Sequence, residues 1–146
     1  MIEKIVSASN LKATVIHKPD NPKRRESWEW LDGLLSSGNQ NQIPPIVVIQ
    51  DPKAEECLIY DGNIRVAHAL QNGYSLRTWI IENQSDLDKY LSKNPAYWFD
   101  IRNFSTLLKF MRLYAANPKE GSEIDPEIAE FLTEKEKAHY GWHSDE

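Results

Sequence analysis

An α+β domain is what this sequence predicts, and three observations predict it. PIVVIQ at residues 45–50, CLIY at 57–60 and SLRTWIIE at 75–82 are short runs of strand formers. Between and around them the apolar residues recur at helical spacing. The resulting order through the middle of the chain is helix, strand, hairpin-like turn, strand, helix, strand, which belongs to a sheet packed with helices.

KATVI at 12–16 is a short strand candidate, ended by HKPDNP, where two prolines force a turn. From Glu26, Trp28, Leu31 and Leu35 recur at i, i+3 and i+7, with Trp30 and Leu34 alongside, and Gly38 supplies a C-terminal stop. GNQNQIPP is a polar loop leading into PIVVIQ, whose unbroken β-branched character suits a strand buried on both faces. DPKAEE then turns the chain into CLIY.

Asn63 to Gln71 reads as a helix, with Ile64, Ala67 and Leu70 on its packing face and Gly73 as the residue past its end. After SLRTWIIE the chain turns helical. SDLDKYLSK offers Ser85 as a cap with Leu87, Tyr90 and Leu91 on one side. NFSTLLKFMRLYAAN is a stronger helix built on Phe104, Leu107, Leu108, Met111 and Tyr114, and Asn117-Pro118 ends it. Ile124 to Lys137 gives a last helix with Pro126 near its first turn. We expect a domain over residues 1–84, a helical extension over 85–138 packed on it, and a loose tail over 139–146.

At 146 residues and 40% hydrophobic content the chain can bury one core but not two. No apolar run approaches membrane-spanning length, and acid and base fall too early in MIEKIVSASN for a secretory leader, so a cytoplasmic protein with no membrane partner is expected. A single cysteine, Cys57, excludes an internal disulfide and a multi-thiolate zinc site, and its setting in a strand reads as an inert thiol. The net charge of −5 disfavours DNA as a partner, because backbone binding needs a dense basic surface. Lys23-Arg24-Arg25 ahead of Trp28 can grip a phosphate or single-stranded nucleic acid, yet three charges more often form a solvated loop beside a core tryptophan. Tyr97, Trp98, Phe99 and Phe104 read as an aromatic knot between helices, and His139 and His143 as surface residues.

The stretch IYDGNIRVAHAL, residues 59–70, is where chemistry is expected. If Tyr60 ends a strand and a helix starts near Asn63, the N–H groups of Asn63, Ile64 and Arg65 point outward at the positive end of the helix dipole, a seat for phosphate. Gly62 lets a ligand approach the backbone. Arg65 can fork onto phosphate oxygens, Asp61 can hold magnesium or orient a hydroxyl nucleophile, and His68 lies three residues on, as an accessory donor or acid. Local chemistry by itself favours a plainer account, in which Asp61 or Asn63 is only an N-cap and Arg65 a solvated side chain.

PPIVV, then DGNIRVAHAL, then NGY and TWIIE, together resemble the ParB/sulfiredoxin-like superfamily across about residues 11–82, with VIHKPDNPKRRESWEWLDGLLSSG resembling its first strand, loop and helix. That resemblance implies nucleotide binding (ATP, ADP or CTP) at Gly62, Asn63, Ile64 and Arg65. It also implies magnesium at Asp61 and, through Asp61 and His68, hydrolysis or phosphoryl transfer. Members include sulfiredoxins, CTP-hydrolysing partition proteins, ADP-dependent serine kinases and ParB-like nuclease domains. Asn63 stands where sulfiredoxins carry their cysteine, and Asn63-Ile64 replaces the acid and first arginine of the partition proteins' G-E-R-R. Asp61, Gly62 and Arg65 match the kinases' Asp-Gly-x-x-Arg, whereas His17-Lys18 stands near their glutamate, with Asp20 and Glu26 close by. The alternative is a non-catalytic scaffold, DNA-associated or binding a protein partner through the helical extension.

Overall fold

The computed structural model describes residues 2–16, 21–51, 53, 56–96, 100–116 and 119–120. His17, Lys18, Asp20, the aromatic run 97–99, the expected helix 124–137 and His139 and His143 lie outside them. The chain is an α+β protein with a mixed sheet. In order it forms β1 (Ile2–Ser7), β2 (Val15–Ile16), α1 (Pro22–Ser36), β3 (Ile46–Asp51), β4 (Glu56–Asp61), α2 (Asn63–Asn72), β5 (Ser75–Ile81), α3 (Gln84–Leu91), α4 (Phe104–Ala116) and β6 (Lys119–Glu120).

The sheet runs β1-β5-β3-β4, with β5 antiparallel to β1 and parallel to β3, and β3 antiparallel to β4. β2 and β6 pair separately, in parallel. The unbroken apolar run of β3 has the place it requires: Ile46, Val47, Val48 and Ile49 are all buried, because β3 is an inner strand with helices over both faces. β1 was not predicted. Its adjacent charges, Glu3 and Lys4, break the period-2 pattern, and pairing with β5 rather than burial makes it a strand.

Each face carries its own core. Val48, Ile59, Leu76 and Ile80 meet Leu31 of α1 and Val66 and Ala69 of α2 on one side. Val47, Ile49, Leu58, Tyr60 and Ile81 meet Leu87 and Tyr90 of α3 and Leu107, Phe110, Met111 and Tyr114 of α4 on the other. α3 and α4, which follow residue 84, thus pack on one face of the sheet. A fully buried Leu, Ile or Phe stabilises by about 1.5–3 kcal/mol, so this second layer is a large part of the fold's stability.

Helix starts differ from expectation where capping chemistry was misread. α1 begins at Pro22, with the Asn21 side chain accepting from the Lys23 amide at 2.9 Å, so Asn21-Pro22 is an N-cap followed by an N1 proline. Lys23-Arg24-Arg25 thus forms the first turn of the helix, and the Arg24 guanidinium lies 4.5 Å from the centre of the Trp28 ring. Asn83, not Ser85, caps α3 by accepting from the Asp86 amide at 2.9 Å. Gly73 follows α2 with φ 70°, as expected of a C-terminal glycine. No helix among the described residues is long and apolar enough to cross a membrane.

Candidate functional site

The strand-to-helix turn is built by a bulge. Val47 pairs with Asp61 and Val48 with Ile59, which leaves Tyr60 as an extra residue in β4 and bends the strand immediately before Gly62. Gly62 is the N-cap of α2 at φ 118°, ψ 25°, a conformation that residues with a Cβ rarely adopt. A Cβ there would stand 2.5 Å from Cγ2 of Ile46 and 2.9 Å from its Cβ. Gly62 is therefore required by packing against β3, as well as by the turn.

The polar side chains around the turn are bonded, and the Arg65 guanidinium lies beside Gly62, its Nη2 3.3 Å from where a Cβ would stand. No side chain caps α2. Asn63 Oδ1 accepts from the Thr14 amide at 3.0 Å, and the Thr14 hydroxyl donates to the Ile59 carbonyl at 2.7 Å, so Asn63 ties the segment before β2 to β4. Arg65 Nη1 donates to the carbonyls of Pro44 and Pro45, each at 3.0 Å, and Nη2 lies 3.3 Å from Asp61 Oδ2. The first intrahelical acceptor is Gly62 O, bonded by the Val66 amide at 2.9 Å. The Ile64 and Arg65 amides precede that bond and stand in the turn where helix geometry provides no acceptor.

The site residues separate into two groups. Asp61, Gly62, Asn63, Ile64 and Arg65 come together at the turn. His68 does not join them. The α2 face is rotated from the expected one: Val66, His68 and Ala69 are buried, Ile64 is partly buried, and Leu70 is 55% exposed. The physical reason is that α2 is covered from two sides, with Val66 and Ala69 in the sheet-facing core and His68 turned toward α1.

There the His68 ring is wholly buried with both nitrogens engaged. Nδ1 lies 2.7 Å from the Tyr74 hydroxyl and Nε2 2.7 Å from Asp32 Oδ1. Trp28 packs edge-on against the ring at 4.7 Å between centroids. Burial, and then the Asp32 charge, push the Tyr74 hydroxyl up to about 12. His68 is thus corrected from an accessory acid to an internal strut between α1, α2 and β5. Thr14, Asp32 and Tyr74 were missed, because nothing local to them in the chain announces partners that lie 49, 36 and 6 residues away.

Among the described residues no three His, Cys, Asp or Glu side chains gather to hold a metal. Asp61 Oδ2 lies 3.3 Å from Arg65 Nη2. Cys57 is half-buried and burial raises its thiol, in keeping with an inert residue. No family model, curated protein or solved structure matches this chain.

Proposed function

We propose that the Asp61–Arg65 turn binds the phosphate of a nucleotide or phosphate ester, and that the protein acts by binding rather than by catalysis. One observation carries the reading. α2 starts on a glycine with no side-chain cap, although Asp61 and Asn63, both good capping residues, stand on either side. The plainer account of this turn needs one of them as the cap, and each is bonded elsewhere. An anion at the Ile64 and Arg65 amides satisfies donors for which helix geometry provides no acceptor. The ParB/sulfiredoxin-like resemblance supports the same position.

The side chains argue against turnover. His68 is buried against Asp32 and Tyr74, and Arg65 and Asp61 form an ion pair. In this reading a phosphate competes with Asp61 for Arg65 Nη2, and Asp61 repels it. Asp61→Asn should therefore tighten binding several-fold. A catalytic or metal-holding Asp61 predicts the opposite. Heteronuclear NMR with ATP, ADP and CTP, each with and without magnesium, on wild type and Asp61→Asn decides. The reading requires the Ile64 and Arg65 amides to move first and furthest. Unmoved amides with every nucleotide defeat it, and weaker binding by Asp61→Asn restores the enzymatic alternative.

A further inference from the structure

Residues 72 to 74, Asn-Gly-Tyr, end α2 with a dipeptide that carries its own chemistry. No other asparagine of the chain is followed by glycine. In an Asn-Gly pair the backbone nitrogen of the glycine can attack the asparagine Cγ, because the absent Cβ leaves its approach open. Asn72 is exposed, and nothing lies within 4 Å of where a Cβ on Gly73 would stand. Asp32-Gly33 and Asp61-Gly62 share the missing Cβ, but a carboxylate is a poorer electrophile than an amide.

We propose that Asn72 is a site of spontaneous deamidation, and that the His68 strut sets its rate. The reactive atoms are held apart while the turn is closed. Asn72 Nδ2 donates to the His68 carbonyl at 2.9 Å, and the Gly73 amide donates to the Ala69 carbonyl at 2.8 Å. The attacking nitrogen is thus occupied by the helix end, and the side chain is drawn back along the helix. Tyr74 closes the turn as well: its amide donates to Ala69 O at 3.2 Å, and its hydroxyl is bonded to His68 Nδ1 at 2.7 Å. Attack waits for this last turn to open, and helix ends open at low cost.

The reaction balances with water as its only co-reactant. The Gly73 nitrogen bonds to Asn72 Cγ, the Cγ–Nδ2 bond breaks, and ammonia leaves with the proton from the Gly73 N–H. Water then opens the cyclic imide at Cγ to give aspartate, or at the backbone carbonyl to give isoaspartate, with one more carbon in the main chain. Both products disturb the strut. Asn72 Nδ2 stands 3.4 Å from His68 Nε2, which Asp32 Oδ1 already bonds, so a carboxylate there meets a second carboxylate and the negative end of α2. Isoaspartate also shifts Gly73 away from the Ala69 carbonyl.

Prolonged incubation of the full chain at mildly alkaline pH, followed by peptide mapping with isoaspartyl methyltransferase as the probe, tests this. Isoaspartate should accumulate at Asn72 before any other residue, and Asn72→Gln should abolish that signal. Tyr74→Phe keeps the ring and loses the bond to His68, so it should accelerate the reaction several-fold, as should urea below the unfolding transition. The modified protein, separated from the intact chain by charge, should melt several degrees lower. An Asn72 that stays intact while the urea-unfolded chain is converted, or isoaspartate that forms first elsewhere, overturns the site. Equal rates in wild type and Tyr74→Phe overturn the control by the strut, and equal melting temperatures overturn the effect of the product on it.

Discussion

The two ends of α2 use polar residues in opposite ways. At the N-terminal end, Asn63 reaches Thr14, Arg65 reaches the Pro44 and Pro45 carbonyls and holds Asp61, and the helix starts without a side-chain cap. In the C-terminal half a histidine is wholly enclosed, with Asp32, Tyr74 and Trp28 around it. In sequence the two sets look alike, a few charged and aromatic residues spaced along one helix. The distinction between a seat and a strut is made by what covers each side chain, which the sequence of α2 by itself does not contain.

The largest effect that can break this contrast is at Gly62. Gly62→Ala drives a Cβ into the buried Ile46 side chain at an unfavourable φ and should cost roughly 4 kcal/mol in urea denaturation. Gly73→Ala, at φ 70° with nothing within 4 Å, should cost only about 1 kcal/mol. Equal costs would mean that packing against β3 does not hold the turn.

His68→Ala comes next. It opens a cavity beside Trp28 and leaves the Tyr74 hydroxyl without its buried partner, a loss of about 3 kcal/mol. Asp32→Ala should cost well under half of that, because the Asp32 side chain is 56% exposed and water replaces the bond. If His68 serves phosphate chemistry instead, its truncation will spare stability and abolish the nucleotide-induced amide shifts.

Arg65→Lys sharpens the N-terminal side. An ammonium cannot fork onto two carbonyls, so the link to Pro44 and Pro45 weakens at a cost of about 1–2 kcal/mol. Phosphate binding at the amides should survive, since the charge and the backbone donors remain. A variant that keeps its stability and loses nucleotide would make Arg65 a ligand rather than a tie.

What was legible in the sequence was the part governed by local rules. The apolar run of β3 announced an inner strand, the DPKAEE turn a hairpin, and Gly73 the end of α2. The buried positions of α4 followed its helical period, with Phe104 only partly covered. The misses were non-local. β1 is held by pairing with β5, α1 starts on a cap that its prolines disguised as a turn, and the α2 face was rotated because α1 covers a side that no periodicity marks. The turn itself was found, while its geometry was not. Asn63 was assigned to a cap or a ligand, and it bonds Thr14 across 49 residues.

The smallest effect tests the strut through pH. Tyr74 ionises near 10 in an unfolded chain and near 12 in the fold, so the folded protein keeps a proton that the unfolded chain releases in between. The sign follows: this contribution to stability is complete below pH 10, and it is lost as pH rises through about 12. Tyr74→Phe has no proton to lose and should show a shallower alkaline decline than wild type, after giving up about 1 kcal/mol at neutral pH for the bond to His68. The other tyrosines titrate in both proteins, so the difference between the two urea midpoints isolates this hydroxyl. Asp32→Asn removes the second cause of the shift and leaves burial, the first, and so should lower the Tyr74 value only in part. Parallel alkaline declines for wild type and Tyr74→Phe would place the hydroxyl in water, and the C-terminal end of α2 would then be as open as its start.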